Sequence, residues 1–215
     1  MKDGKKKDEK MSYSCVDCMV GNCDTMKKAY PEFCLTTKMD QDILKKAMSY
    51  YEVPENQKIA IAAANVEYDY YCKLTRIEEI AEFARNMEFK KLGIATCVGL
   101  LKEARVAAKI LRKKGYEVYG VACKAGAEPK TNVGIDEKCE SIGVNMCNPI
   151  LQAQLLNKEK TDLNILIGLC VGHDSLFVKY SESIVTTLIA KDRVLGHNPA
   201  AALYLSDTYY SKLCR

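Results

Sequence analysis

The stretch Leu163-Asn164-Ile165-Leu166-Ile167-Gly168-Leu169-Cys170-Val171-Gly172-His173-Asp174 passes from a strand pattern into a reactive turn. Leu163–Ile167 is a short continuous run of the kind found in strands buried on both faces. The turn that follows delivers a thiol, an imidazole and a carboxylate together. Its glycines let the backbone bend sharply and let a ligand approach closely. In an open parallel sheet such a turn lies at the carboxyl edge, where these folds bind ligands. The same residues also admit a plainer reading, with Cys170 as a small core hydrophobe and the glycines as a simple turn. The other cysteines decide between the two.

Outward from this stretch the pattern alternates. Residues 92–96, 118–122 and 184–190 read as three more strands, and residues 101–111 as a helix stopped at Gly115. Asn148-Pro149 opens a helix through Leu156, a short helix begins about Ser175, and Asn198-Pro199 opens a last one over residues 200–205. Residues 124–147 form a long polar connection carrying Pro129, several glycines and Cys139. Strands alternating with helices at this spacing predict an α/β domain with a parallel, doubly wound, Rossmann-like sheet. Three helical stretches lead into it. Their apolar stripes are expected in the core: Ile43, Leu44, Ala47, Met48 and Tyr51; then Ile59, Ala62, Ala63 and Val66; then Ile77, Ile80, Ala81, Ala84 and Met87 behind the capping box Thr75-Arg76-Ile77-Glu78.

A chain of 215 residues can bury a full core, as one domain with a small appendage. The expected organisation is a disordered tail over residues 1–12, a cysteine-rich metal knuckle over 13–38, and an α/β domain with its helical lead-in over 39–215. Residues 1–10 are charged and lack an apolar stretch, so no secretory signal is expected; no apolar run is long enough for a transmembrane helix. The net charge is +4, and lysines outside the opening are scattered in pairs such as Lys90-Lys91 and Lys113-Lys114. That is the look of solvated faces, and no basic stripe points to nucleic acid. Eleven cysteines is far above ordinary usage, and without a sign of export they point to metal binding or thiol chemistry in a reducing cytoplasm.

Four of the eleven form the array Cys15-x2-Cys18-x4-Cys23-x10-Cys34. Two thiolates two residues apart can grip one ion, and the later pair can close a tetrahedron. The spacing matches neither the common ferredoxin nor the common zinc-finger pattern, so it indicates metal without naming which. Four thiolates leave no open position, which favours zinc.

Five more map to one rim of the sheet. Cys97, Cys123 and Cys170 each directly follow a strand, while Cys72 and Cys147 precede helices that lead back into strands. Such helices run antiparallel to the strands, so their amino ends also lie over the carboxyl edge. Both histidines, His173 and His197, fall there, together with Asp174 and with Lys191, Asp192 and Arg193. Helix amino ends favour thiolate at Cys72 or Cys147. Converging soft thiolates suit an iron–sulfur cluster or zinc, with Lys191 or Arg193 facing a small-molecule substrate. The competing chemistry takes Gly168-Leu169-Cys170-Val171-Gly172 as a nucleophile elbow, with Cys170 attacking and His173 or His197 as base. It leaves the other rim cysteines unexplained. The plainer alternatives are a charged solvated turn for Lys191-Asp192-Arg193, a helix cap for Asp174, and a neighbour of the Asn198 cap for His197. Cys139 and Cys214 belong to neither group. A metal-binding or sensing module without catalysis competes with an enzyme of redox or sulfur-handling type.

These residues also carry a resemblance. Cys15-x2-Cys18-x4-Cys23, Tyr71-Cys72-Lys73-Leu74-Thr75-Arg76, Met146-Cys147-Asn148-Pro149-Ile150, Leu169-Cys170-Val171-Gly172-His173-Asp174-Ser175 and Lys191-Asp192-Arg193-Val194-Leu195-Gly196-His197-Asn198-Pro199 resemble a family of cysteine-rich prokaryotic proteins. That family is a domain of unknown function described as metal-binding. The resemblance spans nearly all of the chain beyond its opening and implies a metal, with no reaction attached. It marks the array and rim cysteines, with His173, Asp174, Lys191, Asp192, Arg193 and His197, as functional.

Overall fold

A sheet of four parallel strands organises the fold: β1 (Lys91–Thr96), β2 (Glu117–Ala122), β3 (Leu163–Ile167) and β4 (Ile184–Ile189), in the order β2-β1-β3-β4. The computed structural model describes residues 13–215, and the tail expected over residues 1–12 lies outside the described residues. The helices are α1 (Gln41–Ser49), α2 (Pro54–Tyr70), α3 (Arg76–Asn86), α4 (Leu101–Lys113), α5 (Pro149–Lys158), α6 (His173–Tyr180) and α7 (Ala200–Tyr204).

The chain goes from β1 outward to β2 through α4, returns through α5 to β3 on the other side of β1, and ends at β4 through α6. The direction of winding therefore reverses between β1 and β3, the place where doubly wound sheets open a crevice for ligands. Strand residues alternate between the two faces. Leu92, Ile94, Leu163, Ile165 and Ile167 pack with Ile80, Ala81 and Ala84 of α3 and with Ala104, Ala107, Ala108 and Leu111 of α4. Ala95, Val121 and Leu166 face the other way, against Ala153 and Leu156 of α5 and Phe177 of α6. With both faces covered, the central strands read as uninterrupted apolar runs. Each large apolar side chain fully buried in these layers contributes about 1.5–3 kcal/mol.

The polar exception in β3 is deliberate. Asn164 is fully buried; it accepts from the Thr161 hydroxyl at 2.8 Å and donates to Ser181 Oγ at 2.8 Å. Gly93 on β1 makes room for it, since a Cβ there would lie 2.0 Å from Asn164 Oδ1. At the start of α3 the Thr75–Glu78 capping box forms as expected, the Glu78 carboxylate accepting from the Thr75 hydroxyl at 2.6 Å and the Thr75 amide at 2.9 Å. At α5, Asn148 caps the amide of Leu151 at 2.9 Å and Pro149 takes the first turn.

Two compact units divide within α2, between Ala60 and Ile61. In the first, Tyr13 stacks on Phe33 at 5.4 Å, the Tyr30 hydroxyl donates to the Asn22 carbonyl at 2.8 Å, and Asp40 caps α1. One expectation fails here. Ile43, Leu44, Ala47, Met48 and Tyr51 are all exposed, and α1 buries none of its residues. Helical period alone establishes an amphipathic face, and the cover for that face has to come from elsewhere. On α2, Ala62 and Val66 are buried as expected, Ile59 is half-buried and Ala63 is exposed. The stripe on α3 is inward: Ile80, Ala81, Ala84 and Met87 are buried and Ile77 is half-buried.

The connection over residues 124–147 has its own fold. It contains 3-10 turns at Lys130–Val133 and Glu137–Ile142 and is closed by an antiparallel bridge between Pro129 and Asn145. Lys130 is buried inside it and donates to the Cys139 carbonyl. Among the described residues no helix is long and apolar enough to cross a membrane.

Candidate thiol site at the carboxyl edge

The ladders that make the sheet also deliver three cysteines to one edge. Cys97 leaves β1 with its amide still donating to the Ile167 carbonyl at 3.1 Å, and Cys123 leaves β2 donating to the Thr96 carbonyl at 2.9 Å. Cys170 leaves β3 after Gly168, whose φ of +64 suits glycine and whose Cβ, if present, would lie 2.7 Å from Leu100 Cδ2. The fourth cysteine arrives by a tie between elements: the Asn148 amide donates to the Cys123 carbonyl at 2.7 Å. This seats the amino end of α5 over β2 and sets Cys147 beside Cys123.

The two thiols lie close enough to couple electrostatically, and their pKa values move in opposite directions. The interaction with Cys123, with Lys124 and His173 nearby, holds Cys147 down to about 5 against the opposing effect of burial. The same interaction, with burial, pushes Cys123 up, offset in part by the Val98 amide that donates to its sulfur at 3.3 Å. Within the pair the thiolate is favoured on Cys147, the less buried of the two and the one near Lys124.

Cations also rest on the remaining rim sulfurs. Cys97 Sγ accepts from Lys191 Nζ at 3.3 Å and from the Gly99 amide at 3.4 Å, and Cys170 Sγ accepts from Arg193 Nη2 at 2.9 Å. Asp192, between those cations, accepts from the amides of Val194 and Leu195 at 2.8 Å each. Its own amide donates to His197 Nδ1 at 3.1 Å, and the His197 amide returns a bond to the Asp192 carbonyl at 2.8 Å. Asp192 and His197 thus hold the loop that aims Lys191 and Arg193.

Of the candidates read from sequence, the structure sets Lys191 on Cys97, Arg193 on Cys170, and Cys147 near Cys123 and His173. His173 and Asp174 occupy the first turn of α6, where Asp174 Oδ1 accepts from the Ser175 amide at 2.8 Å. Cys72 precedes α3 in a left-handed turn with φ 56, is exposed, and stands apart from the sulfur contacts. The group on the Cys170 sulfur is a guanidinium, whereas the elbow reading needs an imidazole there. In the first unit Cys15 and Cys23 are exposed, Cys18 is half-buried and Cys34 is buried. Among the described residues no three His, Cys, Asp or Glu side chains are grouped so as to hold a metal ion, in the array or at the rim.

Two contributors escape the sequence reading. Lys124 directly follows Cys123, and its position at a strand end was the available signal. Gln152, fully buried on α5, donates from Nε2 to the carbonyls of Thr96 at 3.1 Å and Val121 at 2.7 Å. It ties the ends of β1 and β2 beneath Cys97 and Cys123. Its signal was a polar residue in line with Ala153 and Leu156 on a buried face.

A family described as a protein of unknown function (DUF1847) matches residues 34–188. The chain belongs to this family. The matched span contains Cys34, the rim cysteines, His173 and Asp174; Cys15, Cys18 and Cys23 and the loop bearing Lys191, Arg193 and His197 lie outside it. An uncharacterized protein of Methanocaldococcus jannaschii is 49% identical over 182 residues, covering 84% of this chain and 93% of that protein.

Proposed function

We propose that the carboxyl edge is a thiol centre for redox or sulfur-handling chemistry, with Cys147 as the attacking thiolate and Cys123 as its partner thiol. The observation that carries this reading is the pairing of two cysteines from different elements, seated by the Asn148 amide on the Cys123 carbonyl at 2.7 Å, with Lys124 near Cys147. A low thiol pKa together with partial exposure is what marks a reactive cysteine. With a small oxidised disulfide RSSR, Cys147 thiolate displaces RS⁻ to form a mixed disulfide. The Cys123 sulfur then attacks Cys147, the second RS leaves with the electron pair, and the Cys123 proton goes with it as RSH. Gln152 and the Asn148–Cys123 tie keep the two sulfurs in register.

The test is alkylation of reduced protein as a function of pH, with peptide mapping. Cys147 is expected to label well below pH 8, ahead of the exposed Cys23, and oxidised dithiothreitol is expected to yield a Cys123–Cys147 disulfide. Labelling of Cys147 no faster than Cys23 overturns the reading.

A thiolate-bound zinc or iron–sulfur cluster is the second reading, favoured by donor type: Cys97, Cys123, Cys147 and Cys170 at one edge, and the Cys15, Cys18, Cys23 and Cys34 spacing. Lys124, Lys191 and Arg193 beside the rim sulfurs oppose a bare cation there. Metal and sulfide analysis of protein purified without oxygen, repeated on Cys15→Ser/Cys18→Ser, decides it. Metal retained by wild type and lost by that variant supports the knuckle; unchanged metal content rejects it.

A further inference from the structure

We propose that two copies of this chain pair by reciprocal exchange, with α1 of each copy seated in a groove between α3, α4 and β4 of the other. Two uncovered apolar surfaces carry the inference, and it stands independently of the thiols. The first is the stripe on α1. Asp40 caps the helix, and Ile43, Leu44, Ala47 and Met48 then share one face that Tyr51 continues in the turn after it. Ile43 is 64%, Met48 55% and Tyr51 48% exposed. A helix this short is marginal in water by itself and gains its stability from the packing of such a face.

The second is a concave surface of about 310 Å³, walled by Ile77 of α3, by Val106, Ala107 and Ile110 of α4, and by Leu188 and Ile189 of β4. Helices α3 and α4 pack on the same face of the sheet, and the groove runs between them over the end of the edge strand. Val106 is 54% exposed on its wall.

The two surfaces match in length and in charge. From Ile43 to Tyr51, and from Lys102 to Ile110 along α4, the chain advances by the same number of residues, about 12 Å at helical rise. Acidic groups bracket the stripe, Asp40 before it and Glu52 after it, and lysines bracket the groove, Lys102 and Lys113. Glu103, also on its wall, has Lys45 and Lys46 of α1 as its opposite charges. An amphipathic helix laid into an apolar groove is a recurring mode of recognition, anchored at positions three and four apart. Area makes a second copy the occupant. One contact by so short a helix falls below the about 1,600 Å² of a standard interface, and a two-fold exchange makes the contact twice with the same residues. Residues 1–12 offer only Met1 and Met11 as apolar side chains, too few to cover either surface.

Sedimentation of the full chain over a concentration series, under reducing conditions, tests the pairing. The expected result is a dimer that Ile43→Glu/Met48→Glu weakens about a hundredfold, the scale of losing hot-spot side chains, and that Val106→Glu in the groove weakens as much. Lys102→Glu/Lys113→Glu is expected to weaken it about tenfold, the scale of two exposed ion pairs. A photo-crosslinking phenylalanine analogue at position 51 gives a second measurement that holds even where a variant loses its helix. In a mixture of ordinary and isotopically heavy protein, crosslinks into residues 102–110 are expected to join light peptides to heavy ones. A monomer at every concentration overturns the proposal. A dimer that only the α1 variant weakens overturns it too, since α1 would then pair with α1. Crosslinks that never join light to heavy also overturn it, because α1 would then occupy the groove of its own chain.

Discussion

The ammonium of Lys191 lies 3.3 Å from the sulfur of Cys97, although β3 separates the strands that these two residues follow. Two residues on, Arg193 reaches the sulfur of Cys170, which follows β3 itself. The loop after β4 thus folds back across the carboxyl ends of its neighbours and lays one cation over each thiol. A bulge in β4, where the register with β3 slips between Leu166 and Ile167, precedes that turn.

Asp192 is what holds the loop in this shape. Replacing it with Ala removes the acceptor for the Val194 and Leu195 amides and is expected to cost about 1 kcal/mol locally, in the range of a lost cap. Hydrogen exchange at those two amides checks it: protection should fall in Asp192→Ala and persist in Asp192→Asn. Equal protection in both would assign the loop's shape to other contacts.

The opposed pKa shifts of Cys123, upward, and Cys147, downward, have a definite sign in stability. Between about pH 5 and the ordinary thiol value of 9.0, the unfolded chain holds both protons and the folded chain one. Stability from the pair therefore rises with pH through that window and is lost as pH falls toward 5. Above 9.0 the unfolded chain loses both protons while Cys123 keeps its own, so the contribution declines again. Urea denaturation across pH should show this maximum in wild type and a flatter profile in Cys123→Ala/Cys147→Ala. A variant profile that rises and falls as in wild type would exclude the pair as its source.

Gln152→Met keeps the length of the side chain and removes its amide. The Thr96 and Val121 carbonyls then lose a buried donor, for an expected cost of about 1–3 kcal/mol. Looser strand ends should also slow formation of the Cys123–Cys147 disulfide. Full stability with an unchanged disulfide rate would mean that Gln152 does not position these ends.

Gly93→Ala drives a methyl group into Asn164 Oδ1 at 2.0 Å and toward Leu156 Cδ1 at 3.0 Å. Overpacking of this kind is expected to cost about 1–3 kcal/mol. Gly120→Ala on β2, where the nearest atoms lie at 3.9 Å, is the matched control and should stay within about 0.5 kcal/mol. Equal denaturation midpoints for the two variants would refute the argument from close approach.

The sequence by itself determined the alternation of strands and helices, the parallel doubly wound sheet, the caps at Thr75 and Asn148, and the arrival of Cys97, Cys123 and Cys170 at strand ends. These are local signals: hydrophobic period, glycine and proline punctuation, and capping side chains act within a few residues of where they are read. Tertiary structure alone decided which sulfur meets which partner. Cys147 pairs with Cys123 because the Asn148 amide seats α5 on the end of β2, and Lys191 and Arg193 find Cys97 and Cys170 because of the strand order. It also left Cys72 outside the cluster, turned Asp192 and His197 toward holding their loop, brought in Lys124 and Gln152, and exposed the apolar stripe of α1. The reason is physical: strand order and bonds between elements join residues distant in the chain, and no local pattern encodes the partner across that distance.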